Sequence, residues 1–203
     1  HHVTLGIFDI KSNKKIFLNI EGDPEQYLTA ITWSPDSRSI FVGVLNRDQN
    51  HLQMNQYNAS NGTLMKTIFE EKSDIYVEPQ HELTFFPNSN TDFIWQSQRT
   101  GYNHLFHYNL EKGMVSQLTK GDWLVTDLLG FNEKKKEIFY VSTQETPLEK
   151  HLYKINWSNF KTERLDSEPG IHTGILSKDG SQLYDSYSNA TSPRVVNLIN
   201  TIT

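Results

Sequence analysis

"TWSPDSRSIFVGVLNRDQNHL", residues 32–52, carries the reading on which the fold depends. A turn signal, Ser34-Pro35-Asp36-Ser37, leads into an apolar triplet, Ile40-Phe41-Val42, and further on comes the pair His51-Leu52. The same order returns. Phe86-Pro87-Asn88-Ser89 precedes Phe93-Ile94-Trp95 and His104-Leu105, and Phe131-Asn132-Glu133-Lys134 precedes Ile138-Phe139-Tyr140 and His151-Leu152. In the last copy Ser177-Lys178-Asp179-Gly180 precedes Leu183-Tyr184 and then Arg194-Val195. Pro presets a turn backbone, Gly tolerates positive φ, and Ser, Asn and Asp bond their own backbone, so each cluster punctuates the chain. From Phe41 to Ile94 is 53 residues, from Ile94 to Phe139 is 45, and from Phe139 to Leu183 is 44.

A period in the mid-forties with four short strands per unit is the pattern of propeller blades. Strand one is expected at 28–33, 83–86, 125–129 and 172–176, and strand two at the apolar triplets. Strand three starts at each His-Leu pair, and strand four covers 64–69, 114–118 and 162–165. Helical periodicity is nowhere sustained. The fold class is therefore all-β: a partial β-propeller of about four blades of four antiparallel strands. Its divisions are the outer half of a blade at 3–20, blades at 28–70, 83–119 and 125–165, and an incomplete blade at 171–203. Because the pattern opens and closes in mid-unit, the chain reads as part of a larger ring. A half-ring leaves sheet edges unpaired, so a homodimer of two such halves is expected. The leading His1-His2 also fits a tag remnant.

Composition narrows the function. The chain has 203 residues, 36% hydrophobic and 12% aromatic, and a formal charge of −5. That suits a packed β-rich fold, and without a basic stripe it speaks against nucleic acid. Cysteine is absent, which excludes disulfides and thiolate metal sites. No apolar run approaches the roughly 18 residues of a membrane helix.

The histidines pose a choice between a site and a structural role. His104 and His107 are three apart, which on a strand sends them to opposite faces, whereas a zinc pair needs one face. No metal and no cofactor are expected, and the histidines are assigned to strand entry, bonded to a neighbouring turn. No G-x-S-x-G, G-x-G-x-x-G or P-loop motif occurs, so no catalytic residue is named. Glu70-Glu71 reads as a solvated edge and Lys134-Lys135-Lys136 as a solubilising turn. The sequons at Asn58, Asn61, Asn156 and Asn189 carry no weight without a secretory context. The longest loop on the face where strand four meets the next strand one is "EKSDIYVEPQHE", residues 71–82. It offers Asp74, Tyr76, Glu78, Gln80 and His81 as substrate-rim candidates.

Four stretches carry a resemblance: "NRDQNHLQMNQYNASNG", "QSQRTGYNHLFHYNL", "QLTKGDWLV" and "FYVSTQETPLEKHLYKI". In that order they resemble consecutive parts of the propeller of the dipeptidyl peptidase IV branch of the prolyl oligopeptidase family, in its bacterial, cysteine-free form. Gly101-Tyr102-Asn103-His104-Leu105 and Leu118 to Trp123 match most tellingly. The resemblance implies an eight-bladed propeller capping a C-terminal α/β-hydrolase domain, in a periplasmic or cell-envelope serine exopeptidase that releases X-Pro or X-Ala dipeptides. The triad and the paired glutamates that bind the substrate amine would lie outside this chain. The phenylalanine-arginine pair of animal relatives is missing near Tyr76 to His81, so no subsite residue is carried over. On this reading the chain by itself is inactive, and its propeller gates access and shapes the substrate rim. The alternative is a TolB-like propeller that binds a protein partner without peptidase activity. A carbohydrate-active propeller would need clustered carboxylates on inner strands, where strand one offers chiefly Thr29, Trp33, Thr84 and Asp127.

Overall fold

The structure, a computed structural model, describes residues 2–202. His1 of the leading pair and Thr203, the end of the last expected blade, lie outside the described residues. The described residues form seventeen strands and no helix. β1 (Gly6–Asp9) and β2 (Lys14–Phe17) make a two-stranded sheet. β3 (Tyr27–Trp33), β4 (Ser39–Leu45), β5 (His51–Asn58) and β6 (Leu64–Lys72) form the first four-stranded sheet, in chain order. β7 (Thr84–Phe85), β8 (Asp92–Ser97), β9 (His104–Asn109) and β10 (Gly113–Gln117) form the second. β11 (Val125–Asn132), β12 (Glu137–Ser142), β13 (His151–Asn156) and β14 (Thr162–Arg164) form the third. β15 (Ile171–Leu176), β16 (Gln182–Ser188) and β17 (Val195–Asn200) close the series with three strands. These meandering antiparallel sheets are the blades of a partial β-propeller.

The chain divides into two compact units, one running to Arg99 together with Phe106–Ser116, the other comprising Thr100–Leu105 and the chain from Gln117 onward. In the first unit, period-two alternation along β4 splits its side chains between two cores. Phe41 and Leu45 join Leu52, Met54, Phe93, Trp95, Phe106 and Tyr108, while Ile40, Val42 and Val44 join Leu18 and Tyr57. Every residue of β4 is therefore buried, and its sequence SIFVGVL reads as a continuous apolar run. β6 at the sheet edge is mostly exposed. In the second unit Val141, Leu152 and Leu183 form a core with Leu129, Leu165, Leu176 and Ile199 packed against it.

Turn chemistry repeats with the strands. Ser34 Oγ donates to Asp36 (2.7 Å) and Ser177 Oγ to Asp179 (2.8 Å), each between the first two strands of its sheet. Between β5 and β6, Gly62 sits at φ 76°, and a Cβ there would lie 2.2 Å from the Phe17 carbonyl oxygen. Gly113, the first residue of β10, has the same φ but open space around it. Gly113→Ala is expected to lose only the backbone penalty, about 1–2 kcal/mol. Gly62→Ala adds the collision with Phe17 and loses more; the difference between their unfolding free energies in urea measures that contact.

Lys135 is a correction to the solubilising-turn reading. Its ammonium donates to the Ile202 carbonyl (2.5 Å), so this lysine ties the β11–β12 turn to the chain after β17.

Candidate functional site

The segment after β6 is fixed at its middle. Val77 is buried and its N–H donates to the Gln49 carbonyl (2.7 Å), while Ser73 N–H donates to the Asn50 carbonyl (3.0 Å). With Val77 turned into the core, Tyr76 and Glu78 on either side remain exposed. Both line a cavity of about 280 Å³ in the first unit, walled otherwise by the end of β6, by Trp95 to Ser97 of β8, and by Arg99. Of the five rim candidates, the structure brings Tyr76 and Glu78 to this cavity; Asp74, Gln80 and His81 are not among its walls.

Glu70 and Glu71 behave differently because neighbouring strand residues point to opposite faces. Glu70 is 41% exposed and accepts from His51 (2.8 Å), Lys72 and Gln53. These contacts, His51 first, hold its carboxyl down at about 2. Glu71 corrects the solvated-edge reading: its side chain is 9% exposed, accepts from Trp95 Nε1 (2.7 Å) and pairs with the Arg99 guanidinium. Arg99 in turn lies over the Phe106 ring, 4.9 Å from its centroid, and donates to the Tyr108 hydroxyl. Burial disfavours the Arg99 charge, but Glu71 beside it more than compensates and raises its pKa. The cavity thus presents Glu78 beside the exposed Tyr76 ring, with Glu70 already paired to Lys72 and His51 and Arg99 to Glu71. A carboxylate and an aromatic face suit the N–H groups and apolar side chains of a peptide. Arg99, Glu71 and Trp95 were not legible as a site, since the contacts join residues 24 and 28 positions apart.

The depressed Glu70 value has a signed consequence. Its ionised form is favoured in the fold, so its contribution is present above the ordinary value of 4.5 and lost as pH falls through about 2. His51→Ala should return the Glu70 titration toward 4.5, followed by carboxyl ¹³C NMR.

The repeated histidines each open a third strand and bond beyond it. His51 reaches Glu70, and His104 reaches the Thr119 hydroxyl (3.1 Å) and donates to the Gly121 carbonyl (2.9 Å). Burial lowers the His104 pKa, in keeping with a neutral ring. His151 Nδ1 bonds Asp166 (2.7 Å), whose other oxygen accepts the Leu152 N–H (2.6 Å). His151, Asp166 and His172 form the one group of metal-ligand type found among the described residues, which the sequence reading did not assemble. Its donor atoms are already engaged. Arg164 donates to Asp166 Oδ1 (2.7 Å), and His172 bonds Asp185 (2.8 Å) and the Glu168 carbonyl (2.9 Å). A guanidinium on the shared carboxylate favours an internal ion network over a cation site.

Comparison with known proteins gives this geometry its context. A family model described as the dipeptidyl peptidase IV N-terminal region matches residues 1–194. The chain belongs to the dipeptidyl peptidase IV family, as part of its N-terminal region. A solved structure described as a dipeptidyl aminopeptidase IV from Bacteroides ovatus is 38% identical, with a TM-score of 0.90 over 98% of this chain and 31% of its own. Porphyromonas gingivalis dipeptidyl peptidase 4 shares the fold at 23% identity, with a TM-score of 0.88 over 98% of this chain and 28% of its own. Among curated relatives, the dipeptidyl-aminopeptidase B of Aspergillus niger is 26% identical over 94% of this chain and 23% of its own length. The chain therefore spans less than a third of each of these relatives.

Proposed function

We propose that this chain is a non-catalytic propeller portion of a serine exopeptidase that releases X-Pro and X-Ala dipeptides from peptide N-termini. The observation that carries the reading is the family match over residues 1–194. Support for the division of labour comes from the sequence, which holds no G-x-S-x-G nucleophile elbow. Nucleophile, base and oxyanion donors then come from an α/β-hydrolase partner domain. The propeller restricts entry to peptide ends, and the cavity at Tyr76 and Glu78 lies on the substrate rim.

The test is release of a chromophore from a Gly-Pro conjugate by the full-length protein beside this chain alone. Turnover by the full-length protein, abolished by a serine-directed phosphonate, is expected, with none from the chain alone. A full-length protein that is inert or phosphonate-resistant overturns the assignment, and turnover by the isolated chain overturns its non-catalytic role. Tyr76→Ala and Glu78→Ala should raise KM with kcat nearly constant; unchanged kinetics in both remove the rim role.

A further inference from the structure

In the second and third sheets the buried histidine that opens the third strand is held by one residue just past the fourth. In the second sheet that residue is Thr119, whose hydroxyl accepts the Leu105 N–H (3.0 Å) and meets His104 Nδ1 (3.1 Å). A hydroxyl can donate as well as accept, so His104 needs one ring proton only, on the Nε2 that faces the Gly121 carbonyl. In the third sheet Asp166 takes the same place. One of its oxygens accepts the Leu152 N–H (2.6 Å) and the other faces His151 Nδ1 (2.7 Å). His151 Nε2 faces a second carboxylate, that of Glu149 (3.1 Å). On the fourth sheet His172 sets Nδ1 against Asp185 (2.8 Å) and Nε2 against the Glu168 carbonyl (2.9 Å). Both histidines and both aspartates are 1% exposed or less.

Carboxylate and carbonyl oxygens accept and have no proton to give. The four ring nitrogens of His151 and His172 therefore face acceptors only, and the two rings need four protons where neutral imidazoles carry two. The two extra protons sit on the imidazoles, which are far more basic than carboxylates. Charge agrees with the proton count. Asp166, Glu149 and Asp185 bring three negative charges, matched by Arg164 and two imidazolium rings. The rings stand 5.3 Å apart and repel as cations, but Asp166 Oδ1 bonds one and lies 3.7 Å from the other. Among the other groups facing the cluster, the Tyr187 ring stacks on His172 and Asn197 donates to Asp185 (3.4 Å). The exposed Glu145, which accepts from the Tyr153 phenol (2.8 Å), bears with it on Arg164.

The backbone joins the two sheets at the same point: the Lys150 N–H donates to the Gly170 carbonyl (3.1 Å) and the His172 N–H to the Lys150 carbonyl (2.9 Å). We propose that the cluster is a proton-dependent latch, in which two imidazolium rings hold the fourth sheet to the third and lose that hold when deprotonated. A deprotonated ring nitrogen turns a lone pair toward a buried oxygen, and the cluster is left with uncompensated negative charge. Above neutral pH a histidine in the opened chain has released its proton, so the closed state is the one that binds more protons there. Opening becomes easier as pH rises, about tenfold per pH unit for each proton that it releases. The latch is independent of the peptidase reading.

The experiment is backbone hydrogen exchange of the full-length protein, read by mass spectrometry at pH 7 and pH 9 and corrected for the base catalysis of exchange itself. Protection of β15–β17 should fall about tenfold or more over this range, while that of β4, which has no such cluster, holds steady as the reference. Asp166→Thr installs the arrangement found at Thr119 and keeps an acceptor for the Leu152 N–H. Asp185→Asn keeps the shape of the partner of His172. Each removes one buried carboxylate, so each should make the pH slope at β15–β17 shallower even where it lowers protection overall. A change of slope separates lost proton binding from the loss of a merely structural contact. Protection of β15–β17 that is independent of pH in the wild type, a fall shared equally by β4, or an unchanged slope in a folded variant overturns the proposal. The wild-type profile decides by itself where a variant does not fold.

Discussion

Asp166→Ala should lower the unfolding free energy by about 3–5 kcal/mol, the cost of removing one partner from a buried ion network. The side chain is 1% exposed and serves several donors at once. Oδ1 accepts from His151 Nδ1 and from both Nε and a terminal nitrogen of Arg164, and Oδ2 accepts the Leu152 N–H. Alanine leaves the Arg164 charge and the Leu152 amide without this acceptor, in a place that water reaches poorly. The loss also crosses from one sheet to the next within the second unit. Asp166 lies after β14, and His172 on β15 approaches its Oδ1 to 3.7 Å while bonding Asp185 on β16. Urea unfolding followed by tryptophan fluorescence reads the change. A shift within about 0.5 kcal/mol, the usual range for unremarkable surface substitutions, would show that the network is not cooperative.

The strands were legible wherever local signals agreed with long-range pairing. Ile40-Phe41-Val42, Phe93-Ile94-Trp95 and Ile138-Phe139-Tyr140 are apolar at every position and every one of these residues is buried, and turn residues mark where they start. β5, β9 and β13 begin at the histidines, as the spacing required. The disagreements have identifiable donors and acceptors. Strand one of the second sheet was expected over 83–86, but only Thr84–Phe85 is strand. There the Leu83 N–H leaves the ladder for the Thr32 hydroxyl (3.2 Å). The outer half-blade was expected over 3–20, yet β2 ends at Phe17 because the Asn19 N–H turns to the Gly62 carbonyl (2.8 Å). Neither partner is local, so neither was visible in a window of sequence. The same limit hid the candidate site. Tyr76 and Glu78 could be nominated from loop length, but pairing Glu71 with Arg99 and Trp95 requires knowing which strands are neighbours. Phe160 is the reverse case: its oddity lies in the sequence, once "NASNG", "NLEKG" and "NWSNF" are set in register. Only its left-handed φ of 61° shows that phenylalanine there is strained.

Trp95→Ala should cost about 3–5 kcal/mol, as large-to-small changes of buried aromatics do. Trp95 is 1% exposed in the main core of the first unit, with its ring 5.4 Å from that of Phe69. Trp95→Phe separates two contributions that alanine merges. It keeps most of the apolar surface but removes the indole N–H from Glu71, leaving that nearly buried carboxylate with Arg99 as its partner on the cavity wall. The expected loss for phenylalanine is about 1–3 kcal/mol, the penalty for a buried polar group deprived of a partner. If the two variants unfold alike, the hydrogen bond rather than the packing dominates, and Trp95 acts mainly by holding Glu71 in place. If phenylalanine is nearly silent, Arg99 alone fixes Glu71 and the indole is there to fill space. Either outcome bears on the cavity, because the side chain that fills the core is also the one that sets the orientation of its wall.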